Sequence, residues 1–400
     1  MTNAGREVVV IGAGVIGTAV AYYLSKEGVK VTVLDGNAIG SGASFHGVGN
    51  IGAVNWKDRH HFQFGLAAKE VLLDLVPELT AETGIETYLQ KLHEVEMALD
   101  EDEIPAIEPT INMAQEFVPI EWISGEEILK LEPRLNPGII KGISYEVHQI
   151  DGYPLSLAYA QAAEKRGAEF LTREVTGLER SGSRVTGVVH RSGTIPCDRV
   201  VVAMGAWSGG VSSWLDFRVP VQPLKGELLH LHFDGKPPAI SIYSPKRGHI
   251  LSRKDGTVGI GSTGNRWHFD QPDDIVKEFE STPTDAARQE LTQRAIVLMP
   301  CLESAQVLRH LAGPRPLPAD GLPIIGPVPG WDGVYLATGH RNKGIHLSAL
   351  TGRVVASWIV RGAPESPVSV EPFLPERFLS LGTSLTTTPE RGEEGALGDD

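Results

Sequence analysis

The amino-terminal part of the chain changes from a continuous apolar run to helical spacing and back. Residues 7–11, E-V-V-V-I, form a mostly β-branched run, which is typical of a strand buried on both faces. After a glycine-rich turn, Ala19, Tyr22 and Tyr23 recur at helical spacing, and Gly28 ends that segment. Residues 29–34, V-K-V-T-V-L, predict a second strand, which closes with Asp35. The pattern predicts strand, glycine-rich turn, helix, strand and a final acid.

Several later segments also have the character of strands. Residues 169–175 and 184–189 predict a strand and a hairpin strand, and residues 200–207 predict an apolar strand that ends in small residues. Residues 227–232, 248–251 and 258–261 show strand patterns separated by turn residues. We interpret this last group as a separate, mostly antiparallel sheet.

The turn after the first strand reads G-A-G-V-I-G at residues 12–17. Gly12 permits a tight turn, Gly14 lets a pyrophosphate approach the backbone, and Gly17 lets the helix pack closely on the strand. The helix N-terminus offers free N–H groups, and Asp35 can accept a hydrogen bond from a ribose hydroxyl. The hypothesis is a dinucleotide site. The alternative is an empty turn of the same geometry, and the motif alone does not separate NAD from FAD.

Length, charge and cysteine count narrow the class of protein. The 400 residues, 41% hydrophobic and 22% charged, indicate a globular chain, which we expect to form two interleaved domains. A net charge of −14 disfavours nonspecific nucleic-acid binding but leaves room for a small anionic substrate. Cys197 and Cys301 are too few for a disulfide framework or a zinc cluster, and the histidines lack metal-binding spacing. We therefore expect no metal and a cytoplasmic location.

No membrane-spanning segment is expected, because no run of eighteen apolar residues lacks glycine or polar interruptions. The A-V-A at residues 19–21 resembles a signal-peptidase site, but the glycines of residues 12–17 favour the dinucleotide turn. Peripheral membrane association and oligomeric state stay open.

A second block of small residues, G-S-G-A-S-F-H-G-V-G-N, occupies residues 40–50. Small residues at this density indicate a backbone that contacts a ligand closely, and the alternative is a flexible loop.

Four further segments match, in order, the motifs of a known family. They are E-P-R-L at residues 132–135, D-G-Y-P at 151–154, V-V-V-A-M-G-A-W at 200–207 and G-P-R-P-L-P-A-D-G-L-P-I-I-G at 313–326. With these, the chain resembles the FAD-dependent amine and D-amino acid oxidoreductases, such as glycine oxidase, sarcosine oxidase, dimethylglycine dehydrogenase and D-amino acid dehydrogenases. The resemblance runs from about Val8 to Phe378.

The resemblance implies an α/β fold in which a Rossmann-like FAD-binding domain is interleaved with an α+β substrate domain built on a mostly antiparallel sheet. The FAD-binding domain would comprise residues 1–90, 150–220 and 310–380, and the substrate domain residues 91–149 and 221–309. Residues 381–400 are polar and acidic, and we expect a disordered tail.

The resemblance also implies the residues that contact FAD. The expected set is Gly12, Ala13, Gly14, Val15, Ile16, Gly17, Asp35, Gly42, Ala43, Ser44, His46, Gly47, Gly49, Val175, Ala203, Gly205, Trp207, Gly313, Lys343, Gly344 and Ile345. Among these, the backbone of Gly344 and Ile345 and the side chain of Lys343 would stabilise negative charge on reduced flavin. The alternative for Lys343, and for Arg341, is solvent exposure.

Arg315 matches the family arginine that binds a substrate carboxylate, and Pro314 and Pro316 stiffen its backbone. The alternative is a structural arginine paired with an acid such as Asp320. Further substrate-binding candidates are Tyr243, Asn342, His340 and His46, and weaker candidates are Arg253 and Arg266. Tyr243 could instead be a core residue. Asn342 stands where glycine oxidase has an arginine, so a substrate preference does not transfer directly.

His46 follows Phe45 in the second glycine block, where dimethylglycine dehydrogenase-like members carry FAD covalently on a histidine. Three roles stay open: covalent attachment, noncovalent flavin contact and no role. Most relatives bind FAD without a bond.

The implied function is oxidation of the C–N bond of a small amino acid, namely a D-amino acid, glycine or an N-alkyl amino acid. A hydride would pass from the α-carbon to flavin N5, and the resulting imine would hydrolyse. The electron acceptor would be O₂, a quinone or a carrier protein. The alternatives are a 2-hydroxy acid dehydrogenase that uses His46, His249 or His340 as a base, and a non-catalytic FAD-binding subunit.

Overall fold

The computed structural model describes residues 7–53, 56–263 and 281–381. The expected tail at residues 381–400, except residue 381 itself, and the candidate Arg266 therefore lie outside the described residues.

The described chain forms eighteen strands and eight α-helices. The strands are β1 (Glu7–Ile11), β2 (Lys30–Asp35), β3 (Asn50–Ile51), β4 (Gln90–Ala98), β5 (Ile120–Ser124), β6 (Lys141–Gln149), β7 (Glu169–Thr172), β8 (Val175–Ser181), β9 (Arg184–His190), β10 (Gly193–Pro196), β11 (Arg199–Val202), β12 (Val221–His232), β13 (Ser241–Ser244), β14 (Gly248–Ser252), β15 (Val258–Gly261), β16 (Gln306–Pro318), β17 (Ile324–Pro327) and β18 (Val334–Thr338). The helices are α1 (Val15–Lys26), α2 (Arg59–Thr83), α3 (Ile104–Ala114), α4 (Gly125–Leu131), α5 (Gly152–Glu164), α6 (Ser212–Leu215), α7 (Asp285–Leu298) and α8 (Gly344–Arg361).

The first sheet has six strands in the order β17-β18-β11-β1-β2-β7, and every pair except β17 with β18 is parallel. Alternate residues of β1 enter two different cores: Val8 and Val10 pack with helices α1, α2, α5 and α8, while Val9 and Ile11 pack on the opposite face. Burial on both faces explains the continuous apolar run in the sequence.

The largest sheet has nine strands in the order β16-β12-β15-β14-β13-β4-β6-β3, with β5 also paired to β6. Its pairs are antiparallel except β13 with β4. A three-stranded sheet, β10-β9-β8, lies beside the first one. The Rossmann-like sheet and the mostly antiparallel sheet confirm the predicted fold class.

The strands of the first sheet all fall within the predicted FAD-binding ranges, while β16 crosses the predicted boundary at residue 310. β3 lies within residues 1–90 but pairs with β6 of the large sheet. The domain ranges as such stay a prediction.

Two helices point their N-termini toward the space between the two large sheets. α1 follows β1 directly, and α8 follows β18. The two helices pack on each other at Gly352, where an added Cβ would lie 2.8 Å from the backbone carbon of Ala19. This close crossing holds both N-termini at one edge of the parallel sheet.

Candidate active site

A cavity of about 610 Å³ lies between the parallel sheet and the large sheet. It is lined by the carboxyl ends of β1, β2 and β18, by the N-termini of α1 and α8, by residues 41–50 and by the middle of β16. Its size is that of a typical cofactor or substrate pocket. The cavity thus lies at the carboxyl ends of parallel strands, where ligands of open α/β sheets commonly bind.

The glycines of the first turn have distinct steric roles. Gly12 has a φ of +105°, and a Cβ there would lie 2.4 Å from the carbonyl oxygen of Ala203. A Cβ on Gly17 would lie 1.9 Å from the carbonyl oxygen of Gly12, so α1 needs glycine to approach β1. Gly14 lines the cavity, and its nearest neighbour would be Ser44 Oγ at 3.4 Å. The turn is thus close-packed behind and open toward the cavity.

Asp35 is held at the end of β2 by two backbone groups. The N–H groups of Ala13 and Asn37 donate to its carboxylate at 2.7 and 2.8 Å. The carboxylate joins the turn to β2 and lines the cavity. A remaining lone pair of the Asp35 carboxylate can accept a hydrogen bond from a ribose hydroxyl.

The second glycine block wraps around the N-terminus of α1. Ser44 Oγ accepts a hydrogen bond of 2.9 Å from the N–H of Val15. Gly49 has a φ of +74°, and a Cβ there would lie 1.7 Å from the carbonyl oxygen of Ile150. Ile345 of α8 packs against Gly47, where a Cβ would lie 2.7 Å from its Cδ1. The block is thus a fitted wall of the cavity.

Most of the predicted cofactor residues share this cavity. Those that line it are Gly12, Gly14, Val15, Ile16, Asp35, Gly42, Ala43, Ser44, His46, Gly47, Gly49, Val175, Ala203, Gly205, Trp207, Gly313, Lys343, Gly344 and Ile345. Ala13 and Gly17 are absent from the lining, because Ala13 faces Asp35 through its N–H and Gly17 faces the strand. An open glycine at a helix N-terminus, a positioned acid and a small-residue wall together fit FAD.

Arg315 lies on β16 and lines the cavity. Its Nη2 donates to Ser262 Oγ at 2.7 Å and its Nη1 to the Thr263 carbonyl oxygen at 3.1 Å. Asp320, the alternative partner, instead accepts a 2.7 Å hydrogen bond from Arg377. Removal from bulk water lowers the pKa of Arg315 to about 10, so the guanidinium stays charged at neutral pH.

The turn between β18 and α8 adds further cations. Lys343 is only 4% exposed, its Nζ lies 4.4 Å from the centre of the Trp56 ring, and burial lowers its pKa to about 7. Burial, followed by the charge of Arg315, lowers the pKa of Arg341 to about 10. Asn342 is exposed and also lines the cavity. Solvent exposure, the alternative for Lys343, is therefore wrong.

The histidine candidates differ in what holds them. His46 Nδ1 donates to the Gly42 carbonyl oxygen at 2.9 Å, and its side chain packs against Gly313. His340 is buried, its Nε2 lies 3.1 Å from Thr351 Oγ1, and burial lowers its pKa to about 3. Both line the cavity, and His340 is fixed to α8.

Two further predicted substrate residues lie elsewhere. Tyr243 is buried on β13 and is not among the residues that line the cavity, and its ring lies 4.4 Å from that of His249, which does line it. A role of Tyr243 in substrate binding stays a prediction. Arg253 binds Asp151 at 2.5 Å, which couples β14 to the start of α5 rather than to the cavity.

Sequence reasoning missed a buried carboxylate behind the cavity wall. Glu94 is fully buried and accepts hydrogen bonds from Asn50 Nδ2, Tyr145 Oη and Ser241 Oγ at 2.5, 2.6 and 2.9 Å. Asn50 and His249 line the cavity, and His249 Nε2 lies 3.8 Å from the Glu94 carboxylate. No signal in the sequence marked Glu94, because it lies in a strand with acids at alternate positions.

Within the described residues, no group of three or more His, Cys, Asp or Glu side chains could hold a metal ion. None of the helices described here is long and apolar enough to cross a membrane.

Comparison with known proteins matches this geometry. The family model described as FAD dependent oxidoreductase matches residues 7–358. A glycine oxidase of Bacillus licheniformis is 30% identical over 376 residues, which cover 93% of this chain and 97% of that protein. The crystal structure of glycine oxidase from Geobacillus kaustophilus superposes with a TM-score of 0.84 at 27% identity, over 92% of this chain and 98% of that one.

A crystal structure of iminodiacetate oxidase from Chelativorans sp. BNC1 is also similar, with a TM-score of 0.79 at 25% identity, over 92% of this chain and 98% of that one. The glycine-rich turn, the cavity and the matched family model agree over most of the sequence. The chain therefore belongs to the family of FAD-dependent oxidoreductases, and it is an enzyme of that family.

Proposed function

We propose that this enzyme oxidises the C–N bond of a small amino acid, the class being D-amino acids, glycine and N-alkyl amino acids. One observation carries the proposal: Arg315 lines the same cavity as the N-termini of α1 and α8. Its charged guanidinium donates hydrogen bonds to two neutral acceptors and to no described acid. Relatives named glycine oxidase support the substrate class.

The residues of the chain would bind and orient the substrate. Arg315 has donors beyond those given to Ser262 and Thr263, and these can bind a carboxylate. The glycine-rich turn and residues 41–50 would hold FAD, which would supply the hydride acceptor for the α-carbon, and the imine product would hydrolyse. The cations lining the cavity disfavour a substrate ammonium and so favour the neutral amine that this chemistry needs.

The first test measures anaerobic bleaching of the flavin by D-, L- and N-methyl amino acids and by 2-hydroxy acids. We expect bleaching by amino acids, and Arg315→Ala should lower kcat/KM by roughly tenfold to a thousandfold, because an ion pair of about 1.5–4 kcal/mol is lost. Arg309→Ala is the control, since Arg309 is exposed on the same strand outside the cavity.

An unchanged kcat/KM in Arg315→Ala for every carboxylate substrate would contradict the role of Arg315. Bleaching by no amine and no hydroxy acid would instead favour a non-catalytic FAD-binding subunit.

A second candidate function rests on His249. This cavity residue has Glu94 behind it at 3.8 Å, and a histidine next to a carboxylate can take a hydroxyl proton. Bleaching by 2-hydroxy acids alone, lost in His249→Gln, would favour a 2-hydroxy acid dehydrogenase.

We further propose that FAD is held without a covalent bond and that His46 contacts it. The hydrogen bond from Nδ1 to Gly42 fixes the ring in the cavity wall. Acid precipitation should release the yellow colour into the supernatant, and colour retained by the precipitate would show a covalent link.

Reoxidation rates with O₂ and with a quinone would identify the acceptor class. The cytoplasmic location expected from the cysteine count stays a prediction.

A further inference from the structure

The proposed reaction needs a neutral amine, whereas an aliphatic amine in water at neutral pH is an ammonium with a pKa of about 10. Arg315, Arg341 and Lys343 line the cavity, and these cations disfavour a bound ammonium. The proton of the ammonium must therefore go either to bulk water before binding or to a group of the protein after binding.

Histidines are the side chains best suited to accept this proton near neutral pH. In the described part of the chain, those that line the cavity are His46, His249 and His340. Burial lowers the pKa of His340 to about 3, which makes it a weak base, and His46 contacts the Gly42 carbonyl oxygen through Nδ1. His249 is the one of the three described rings with a carboxylate within reach, that of Glu94 at 3.8 Å from Nε2. Such a carboxylate stabilises the imidazolium that forms when the ring accepts a proton.

His249 lies close to the guanidinium that would bind the substrate carboxylate. It pairs with Gly261 of the neighbouring strand β15, and the next residue, Ser262, lines the cavity. Arg315 Nη2 donates a hydrogen bond of 2.7 Å to Ser262 Oγ. The imidazole and the guanidinium thus belong to neighbouring parts of the wall that the large sheet forms. An amino acid bound through its carboxylate can present its amine to this part of the wall, because one carbon separates the two groups.

A network of buried polar groups holds Glu94 behind His249. Its carboxylate accepts hydrogen bonds from Asn50, Tyr145 and Ser241. Asn50 Nδ2 also lies 3.5 Å from His249 Nε2, so the amide contacts both the carboxylate and the ring. The carboxylate is therefore already in place and need not reorganise when the ring becomes charged.

The surroundings of His249 favour a neutral ring that can accept a proton. Burial lowers the pKa of His249 below its ordinary value, while Glu94 raises it and Lys343 lowers it. The titratable groups on the surrounding elements are Glu94 and Glu96 of β4, Tyr145 of β6, Tyr243 of β13 and Lys343 of the turn before α8. Burial, followed by the charge of Glu94, raises the pKa of Glu96 well above its ordinary range. The ring of His249 is accordingly neutral at pH 7.5 and above.

We propose that His249 accepts the proton of the substrate ammonium while Arg315 holds the substrate carboxylate, and that Glu94 is the positioning residue that stabilises the imidazolium. The N–H bond of the ammonium breaks, its electron pair stays on the nitrogen, and the proton forms an N–H bond on the imidazole. The inference rests on the proposed amine oxidation and adds a catalytic residue to it.

The first experiment measures kcat/KM of the holoenzyme for glycine, sarcosine and D-alanine from pH 7.5 to pH 9.5. The wild type should vary by less than about threefold, because the protein itself removes the proton. His249→Gln should lose roughly a hundredfold or more at pH 7.5, where only about one amine in three hundred is neutral. The variant should regain about tenfold per pH unit, as the neutral amine becomes more abundant.

The second experiment counts the protons released when 2-aminoisobutyrate binds to the holoenzyme. This amino acid has no hydrogen on its α-carbon and cannot give up a hydride. Calorimetry at pH 7.5 in buffers of different ionisation enthalpy measures the number of protons. The wild type should release almost none, because the proton stays on His249, whereas His249→Gln should release about one per ligand bound.

His232→Gln is the matched control. His232 also has a carboxylate nearby, that of Asp234 at 3.4 Å, but it is exposed on β12 and does not line the cavity. Its replacement should change neither the pH profile nor the proton count. FAD content and thermal unfolding of each variant report whether it folds.

Glu94→Gln tests the positioning role. It should move the low-pH limb of the kcat/KM profile, followed down to pH 5.5, to lower pH, because the imidazolium loses its carboxylate neighbour. A merely structural Glu94 would leave that limb in place.

A pH profile of His249→Gln parallel to that of the wild type, or an equal proton count in both, would overturn the inference. A wild-type profile that itself rises tenfold per pH unit would also overturn it, since bulk water would then take the proton. Bleaching of the flavin by no amino acid would instead contradict the proposed amine oxidation, and the proton count with 2-aminoisobutyrate would still decide whether His249 accepts the proton.

Discussion

Lys343 is a buried amine at a position where a positive charge is electrostatically unfavourable. It immediately precedes α8, and a cation near a helix N-terminus opposes the helix dipole. Burial and the like charge of Arg341 lower its pKa, while Glu94 raises it, with a net pKa of about 7. Its location beside the cavity suits a bound anion rather than the stability of the protein alone.

The pKa of Lys343 gives a pH dependence of stability with a definite sign. Between about pH 7 and its ordinary pKa of 10.5, the unfolded chain binds more protons than the folded one, so the contribution of Lys343 to stability rises with pH. FAD-free Lys343→Met should therefore be more stable than FAD-free wild type at pH 6.5, and this difference should shrink by pH 9.5. Thermal unfolding at several pH values measures it.

The exposed Lys57 supplies the comparison for this experiment. Lys57→Met should keep a constant difference from the wild type over the same pH range. A constant difference for Lys343→Met as well would show that Lys343 does not titrate in this window.

Single residues differ in how far the sequence reveals them. Arg315 was identifiable because it lies between two prolines in a family motif, and the structure places it in the cavity. Glu94 and Glu96 were not, since acids at alternate positions of a strand ordinarily mark a solvent-facing side. Both are buried, Glu94 among three hydrogen-bond donors. Whether an acid in a strand is buried depends on contacts from distant strands, and the local sequence does not show those contacts.

At the scale of elements, the boundaries depend on groups that periodicity does not show. α1 begins at Val15, before Ala19, the first residue that the helical spacing marked, and α8 begins at Gly344. The first turn of each helix faces the cavity, where small residues replace the apolar pattern. β3 has two residues and is too short for any pattern.

The packing of α1 on β1 yields a test of the glycine-rich turn. Alanine is normally favoured over glycine in a helix by about 1 kcal/mol. In Gly17→Ala, however, the added Cβ would meet the Gly12 carbonyl oxygen at 1.9 Å, and such overlap with backbone costs about 1–3 kcal/mol or more. We expect a lower melting temperature and loss of FAD during gel filtration.

Gly177→Ala in β8 is the matched substitution, because its Cβ would have its nearest contact at 3.9 Å from Val189. It should keep FAD and melt within a few degrees of the wild type. Full FAD content and an unchanged melting temperature in Gly17→Ala would contradict the packing argument.

At the scale of the whole molecule, charge is separated between the surface and the cavity. The chain has a net charge of −14, yet in the part of the chain that the structure describes, Arg315, Arg341 and Lys343 line one region of the cavity. The net charge disfavoured nonspecific nucleic-acid binding, but it could not locate these cations, because they come together only where β16 meets the turn after β18. The parallel sheet was predictable from local runs, whereas the meeting of distant segments was visible only through the family resemblance.

The long strand β16 carries both a predicted FAD contact, Gly313, and the proposed substrate-binding residue, Arg315. Gly313 packs against His46, and Arg315, two residues further, points to the same cavity, while Pro316 anchors Arg341. Because successive side chains of a strand alternate between faces, a slip of one residue against β12 would turn both Gly313 and Arg315 away together. An insertion or deletion within β16 should therefore disturb the predicted FAD contact of Gly313 and the proposed substrate contact of Arg315 together, whereas substitutions in the turn at 340–343 leave the register of β16 unchanged.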